Sequence, residues 1–234
     1  MVDLPVELSE GLGEQLSHIL DVEGKIPRAI EALGPVAGRD VLLLDRTHGL
    51  RARQLHDLGA RVTLVQDPSA GFGVPDDSAD VVVSFWSSFR GAAAGELAEA
   101  ERTLRASGRL LVVHDYGRDD VSHLRGAQPD YGAWSRRNGP FLKSGFKVHV
   151  VHCFWTFDSM PDCVEFLGAA FGDAGRMVAA GLKRPRLSYN VAIYHRTFGA
   201  ERSDGDPVEL PAAGRRSLDL PVTASPPASA KAAV

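Results

Sequence analysis

The chain has 234 residues, 44% of them hydrophobic, enough for one domain with a substantial core. Its 26 Lys and Arg against 30 Asp and Glu leave a formal net charge of −4, so no global basic field exists to drive nucleic-acid binding. The two cysteines, Cys153 and Cys163, have neither zinc-ligand spacing nor a disulfide framework, no apolar run approaches the roughly 20 residues that span a bilayer, and no signal-peptide pattern opens the chain. A cytoplasmic protein without membrane contact is expected.

Residues 1–24 are polar, with Leu12, Leu16, Ile19 and Leu20 at helical spacing, and Ile26–Leu33 makes a second short helix pattern ending at Gly34-Pro35. These helices either cap a pocket or cover a sheet. Val41–Leu44 is a continuous apolar run without alternation, as in a strand covered on both faces, and Arg61–Val65 is a second. Between them Leu50, Leu55 and Leu58 lie near helical spacing, and Gly59 stands at a helix C-cap position. Two buried strands joined by a helix predict a parallel, doubly wound sheet whose ligand site lies off the carboxyl end of the first strand, at Asp45–Gly49. There Arg46, Arg51 and Arg53, with the amides opening the next helix, suit an anion or carboxylate; the alternative is that Asp45 or Thr47 merely caps that helix.

The next 14 residues, Gln66 to Ala79, are rich in Gly, Pro and Asp. A helical crossover takes about 10–12 residues and this composition opposes one, so neither helix nor strand is expected and the second strand becomes a sheet edge. VPDDSADVVVSFWSSFR reads as a turn and a strand, and ELAEAERTLRASGRLLVVHDY as a helix, a turn at Ser107-Gly108 and another strand. A helix is expected around Trp134–Lys143. Phe146–Phe157 and Leu187–Arg196 are β-rich runs; between them a helix opens at Ser159, with Asp162 completing a capping box, and runs to about Leu182. From Ala200 to Val234 there is no aromatic residue, and the composition predicts a disordered tail.

The stretch VLLLDRTHGLRARQLHDLGARVTLVQDP resembles the opening of a class I S-adenosylmethionine (SAM) dependent methyltransferase, whose first strand runs into D-x-G-x-G-x-G. Laid over it, Leu43 stands at the strand acid, Asp45 and Thr47 at the first two glycines, and Gly49 matches the third. PDDSAD and the L-R-x-x-G-R-L-L-V-V pattern at 104–113 add to the resemblance. It implies an α/β fold: a Rossmann-like, mostly parallel sheet of about six strands with helices on both faces, the last two strands including an antiparallel one, and the usual third strand missing. Residues 1–36 become an N-terminal helical cap, 37–198 the methyltransferase-like domain and 199–234 the tail.

The resemblance further implies SAM as the cofactor if the site functions, contacted by Asp45, Thr47, Gly49, Asp67, Ser84 and Phe85. The ribose-binding acid of the family falls on Gln66, with Asp67 one residue late. Side chains at Asp45 and Thr47 fill room that glycines leave open, and loss of the third strand removes a pocket wall. His114 and Tyr116, ending the strand where such enzymes meet their substrate, are the candidates for proton transfer. Adjacent residues on a strand face opposite sides, so His114 and Asp115 form no dyad by themselves. For the same reason His149, His152 and Cys153 do not converge, and no metal is expected. Arg136-Arg137 and Lys183–Arg186 read as solvated faces. The leading expectation is a degraded cofactor site in a non-catalytic or ligand-sensing module. The alternative is an active methyltransferase (EC 2.1.1) holding SAM through Gly49 and Asp67. A small molecule is the partner in both cases, as acceptor in the second.

Overall fold

Residues 8–45, 50–65, 67–68, 71–126 and 129–199 are described by the computed structural model. Thr47, Gly49 and the tail from Ala200 lie outside the described residues. Two helices, α1 (Glu10–Ile19) and α2 (Lys25–Leu33), precede the first strand, β1 (Asp40–Leu44). Then come α3 (Leu50–Asp57), β2 (Arg61–Val65), β3 (Ala79–Phe85), α4 (Ala94–Thr103) and β4 (Leu104–Asp115). Three short helices, α5 (Asp120–Arg125), α6 (Pro129–Trp134) and α7 (Pro140–Lys143), lead to β5 (Lys147–Thr156), α8 (Met160–Gly181) and β6 (Arg186–Thr197).

The strands form one sheet in the order β2-β1-β3-β4-β6-β5. The β1–β2, β1–β3 and β3–β4 pairs are parallel, while β6 runs antiparallel to both β4 and β5. This is the expected Rossmann-like sheet, with β2 at its edge and no strand among the described residues between Val65 and Ala79.

Alternation along the strands sorts side chains onto two faces. Val41, Leu43, Val83, Phe85 and Val113 join the core under α1, α2, α3 and α8, whereas Leu42, Leu44, Val82 and Val112 join the core under α4, α6 and α7. With both faces covered, the strands read as unbroken apolar runs. The N-terminal helices are tied to the far side of the sheet: Leu20 bridges to Trp155, and the Asp21 carboxylate accepts the Lys25 and Ile26 amides opening α2 at 2.9 and 2.7 Å.

Three expectations need correction. The Ser107-Gly108 turn falls inside β4: Leu104 pairs with Ala79, the register then breaks with Ser107 at φ 64°, and pairing resumes at Val81–Arg109. The helix expected over Trp134–Lys143 is instead two helices parted at Gly139, where a Cβ would stand 2.4 Å from the Ala133 carbonyl, a packing constraint periodicity does not register. Helix α8 opens at Ser159, whose hydroxyl accepts the Asp162 amide at 3.2 Å, but it is bent at Gly172, which sits at φ 61°.

The connection after β2 is not loose. Phe72 is buried and meets Phe89 edge to face with centroids 6.4 Å apart, its amide donates to the Glu99 carboxylate at 2.9 Å, and Arg102 reaches Glu99, Asp76 and the Val74 carbonyl. The segment therefore docks on α4 and builds a wall of its own where the resemblance places a missing strand.

Arg102, then the Phe72 amide, pull the Glu99 carboxyl down from 4.5 to about 2. A carboxyl lowered on folding contributes stability that is full above its unfolded value and is lost as pH falls. Amide exchange of residues 71–76, corrected for intrinsic rates, should accelerate as pH drops from 4.5 toward 2. Glu99→Gln should exchange faster at neutral pH and lack that step; an identical pH profile in the variant would remove the role assigned to Glu99.

Candidate functional site

In an open parallel sheet the ligand crevice lies outside the carboxyl ends of the strands, at the point where strand order reverses. Here β1 lies between β2 and β3, so the crevice is flanked by the ends of β1 and β3. Asp45, directly after β1, is only 1% exposed. The Ser87 hydroxyl donates to the Leu44 carbonyl at 2.9 Å and lies 3.3 Å from the Ser84 hydroxyl, which accepts the Ser88 amide at 3.2 Å. Serine side chains thus lace the two strand ends together.

Beyond β3 the backbone is strained. Trp86, Phe89 and Ala92 all adopt left-handed conformations, φ 47°, 60° and 55°, which cost non-glycine residues of order 1–3 kcal/mol each. They persist because neighbours determine them: the Trp86 amide donates to Val113 at 3.0 Å, the Phe89 amide to Glu96 at 2.8 Å, and the Trp86 indole N–H to Asp115 at 2.9 Å. The outcome is a tryptophan with 2% exposure at the mouth of the crevice.

Asp115 is itself 2% exposed and accepts three donors, the Trp86 indole, the Tyr189 hydroxyl and the Arg125 guanidinium. Burial pushes its carboxyl up, with Arg125, Tyr189 and Trp86 opposing that shift. One residue earlier, His114 points through the opposite face. It is fully buried, its Nε2 lies 3.1 Å from the Ser88 carbonyl, and Trp134 and Phe141 stand 4.8 and 6.3 Å from its ring. A carbonyl only accepts, so Nε2 carries the proton. Desolvation, then the charge of Arg90, push the His114 pKa down to about 3.

The sequence candidates therefore separate. Asp45, Ser84 and Phe85 all lie at the carboxyl ends of β1 and β3, but Ser84 meets Ser87 and Ser88 while Phe85 faces the other side of the sheet with its ring beneath Arg51; Asp67 is exposed just past β2. Half-buried Tyr116 lines a cleft of about 420 Å³ at the end of β4, with Asp115, Arg118, Ser122, His123 and Arg125. A second cleft, about 300 Å³, lies between Phe72, Ser88, Glu96 and Glu99. Trp86 reads in the sequence as pocket wall or core beside Ser84 and Phe85, whereas Ser87, Arg125 and Tyr189 were not among the sequence candidates. Tyr189 is 74 positions from Asp115, and only the β4–β6 pairing brings them together. No group of three or more His, Cys, Asp or Glu able to hold a metal occurs among the described residues, and His152 instead contacts Asn190 at 2.7 Å. No described helix is long and apolar enough to cross a membrane.

No family model and no curated protein matches the chain. Among solved structures it is similar to a candidate type II methyltransferase from Anaeromyxobacter dehalogenans, with 18% identity over 73% of this chain and 95% of that one and a TM-score of 0.48. A SAM-dependent methyltransferase from Thiobacillus denitrificans in complex with S-adenosyl-L-homocysteine shares 18% identity over 72% and 89%, TM-score 0.38. A candidate methyltransferase from an antibiotic biosynthesis pathway of Anabaena variabilis shares 13% over 77% and 99%, TM-score 0.43. The strand order and pairing of this chain carry the fold assignment. The fold is the Rossmann-like, mostly parallel sheet that the resemblance to class I methyltransferases implies, with no strand among the described residues between β2 and β3.

Because the folded-state pKa of His114 is depressed, the unfolded chain binds the extra proton first, and stability falls as pH drops from 6.5 toward about 3. Unfolding free energy from denaturant titration should decline over that window, and His114→Gln should flatten the decline. An imidazole signal of His114 titrating between pH 6 and 7 would contradict this burial.

Proposed function

We propose that the protein is a ligand-binding module on a methyltransferase-like fold, which takes up a small molecule without transferring a methyl group. What carries this reading is Trp86, buried just past β3, held by Asp115 at the end of β4 and 5.7 Å from the guanidinium carbon of Arg51 in α3, so that its indole takes up room at the strand ends where a nucleoside-type cofactor lies in such folds. Buried Asp45 and the Ser84–Ser87–Leu44 lacing take up further room at the same strand ends.

A second reading, an active SAM-dependent methyltransferase with a small-molecule acceptor, is favoured by the presence of two clefts lined by different residues, one beside Phe72 and one beside Tyr116. In that reading Tyr116 is placed to take a proton from the acceptor, while His114 acts only once the cage of Trp134 and Phe141 opens.

Calorimetric titration separates the two. The native chain should give no saturable heat with SAM or S-adenosyl-L-homocysteine at about 100 μM. Dissociation constants in the micromolar range, about −8 kcal/mol, would establish the second reading instead.

A further inference from the structure

Among the described residues Arg51, the second residue of α3, is a buried cation with donors left over. Its side chain is 1% exposed, its guanidinium carbon stands 5.2 Å from the Phe85 ring and 5.7 Å from the Trp86 ring, and its Nη1 donates to the Gln54 carboxamide oxygen at 2.8 Å. Nε and Nη2 are buried and meet no acceptor among the described residues. These two nitrogens share one edge of the guanidinium plane, the edge on which a carboxylate docks with two parallel N–H···O bonds.

An arginine fork left empty inside a protein is costly, because buried donors are ordinarily satisfied. The nearby acids do not fill it. Asp21 is committed to the α2 amides, and Asp45 reaches Arg51 through its field without giving Nε or Nη2 a hydrogen bond. Burial pushes the Arg51 pKa down, opposed by the fields of Asp45 and Asp21.

We propose that Arg51 is the anchor for the carboxylate of the small-molecule ligand, taken side-on through Nε–H and Nη2–H, with Phe85 and Trp86 flanking the ligand body. This deepens the ligand-binding reading above and rests on it. The fork is shut off from solvent, so the ligand enters when the wall around it opens. The carboxylate belongs either to a free organic acid or to the amino-acid portion of a SAM-type nucleoside, and the probes distinguish them.

The test titrates the native chain with benzoate, its uncharged isostere benzamide, S-adenosyl-L-homocysteine, and methylthioadenosine, which lacks the amino-acid portion. The readouts are the Arg51 Nε–H resonance and the thermal midpoint at constant ionic strength. Benzoate should shift the resonance and raise the midpoint, and benzamide should do neither. Arg51→Lys, which keeps the charge but not the fork, should weaken benzoate at least tenfold, and Arg51→Met should abolish its effect while raising the unliganded midpoint. If S-adenosyl-L-homocysteine binds and weakens at least tenfold in Arg51→Lys while methylthioadenosine binding does not change, the non-catalytic reading falls but the assignment of Arg51 stands. An Arg51 Nε–H resonance unmoved by both benzoate and S-adenosyl-L-homocysteine would overturn the assignment, as would an Arg51→Met chain still stabilised by benzoate. The first of these needs only the native protein.

Discussion

A carboxylate taken out of water costs several kcal/mol unless it is met by donors, and Asp115 is met by three. They come from the segment after β3, from α5 and from β6, so one side chain joins three parts of the chain that are far apart in sequence. Removing any one of them leaves the other two holding an under-satisfied buried charge. The left-handed turn at Trp86 depends on this, because the indole bond to Asp115 is one of the interactions that keeps an unfavourable backbone conformation populated. The turn that carries Trp86 is therefore held in place from the end of β4.

The pleat of β4 sets a second constraint. His114 and Asp115 are neighbours in sequence but enter different cores, His114 among Trp134 and Phe141, Asp115 beside Trp86 and Tyr189. Neither can relay a proton to the other. The aromatic cage holds His114 neutral, and the donors around Asp115 hold a polar cluster closed under the crevice. Tyr116, one step further, is past the end of the strand and lines a cleft that Asp115 also borders and His114 does not.

Much of this was legible before any coordinates. The unbroken apolar runs of β1 and β3, the edge position of β2, the absent third strand and the Ser159 cap all follow from local pattern, since periodicity, turn chemistry and capping are properties of neighbouring residues. The site was less legible. Trp86 reads as pocket wall or core until the partner of its indole N–H is known, and that partner lies 29 positions away. Arg51 reads as one of several loop cations until its burial is seen, because a charged residue on a short amphipathic helix normally faces water. Gly139 breaks a helix through contact with backbone six residues earlier, which leaves no trace in the hydrophobic period.

The deletion after β2 is the feature that most suggests a broken pocket in the sequence, yet the structure shifts the weight elsewhere. Phe72, seated by Glu99 and pressed against Phe89, restores an apolar wall beside a 300 Å³ cleft, and Arg102 fixes the segment carrying it to α4. A lost strand on that side therefore does not by itself exclude a nucleoside. At the strand ends Trp86 and Asp45 are buried, and Arg51 beside the Trp86 ring keeps two donors without an acceptor among the described residues. The loss of a strand is thus offset at the sheet edge by side-chain packing, since an aromatic anchor and an arginine clamp supply burial and hydrogen bonds of the kind a paired strand supplies.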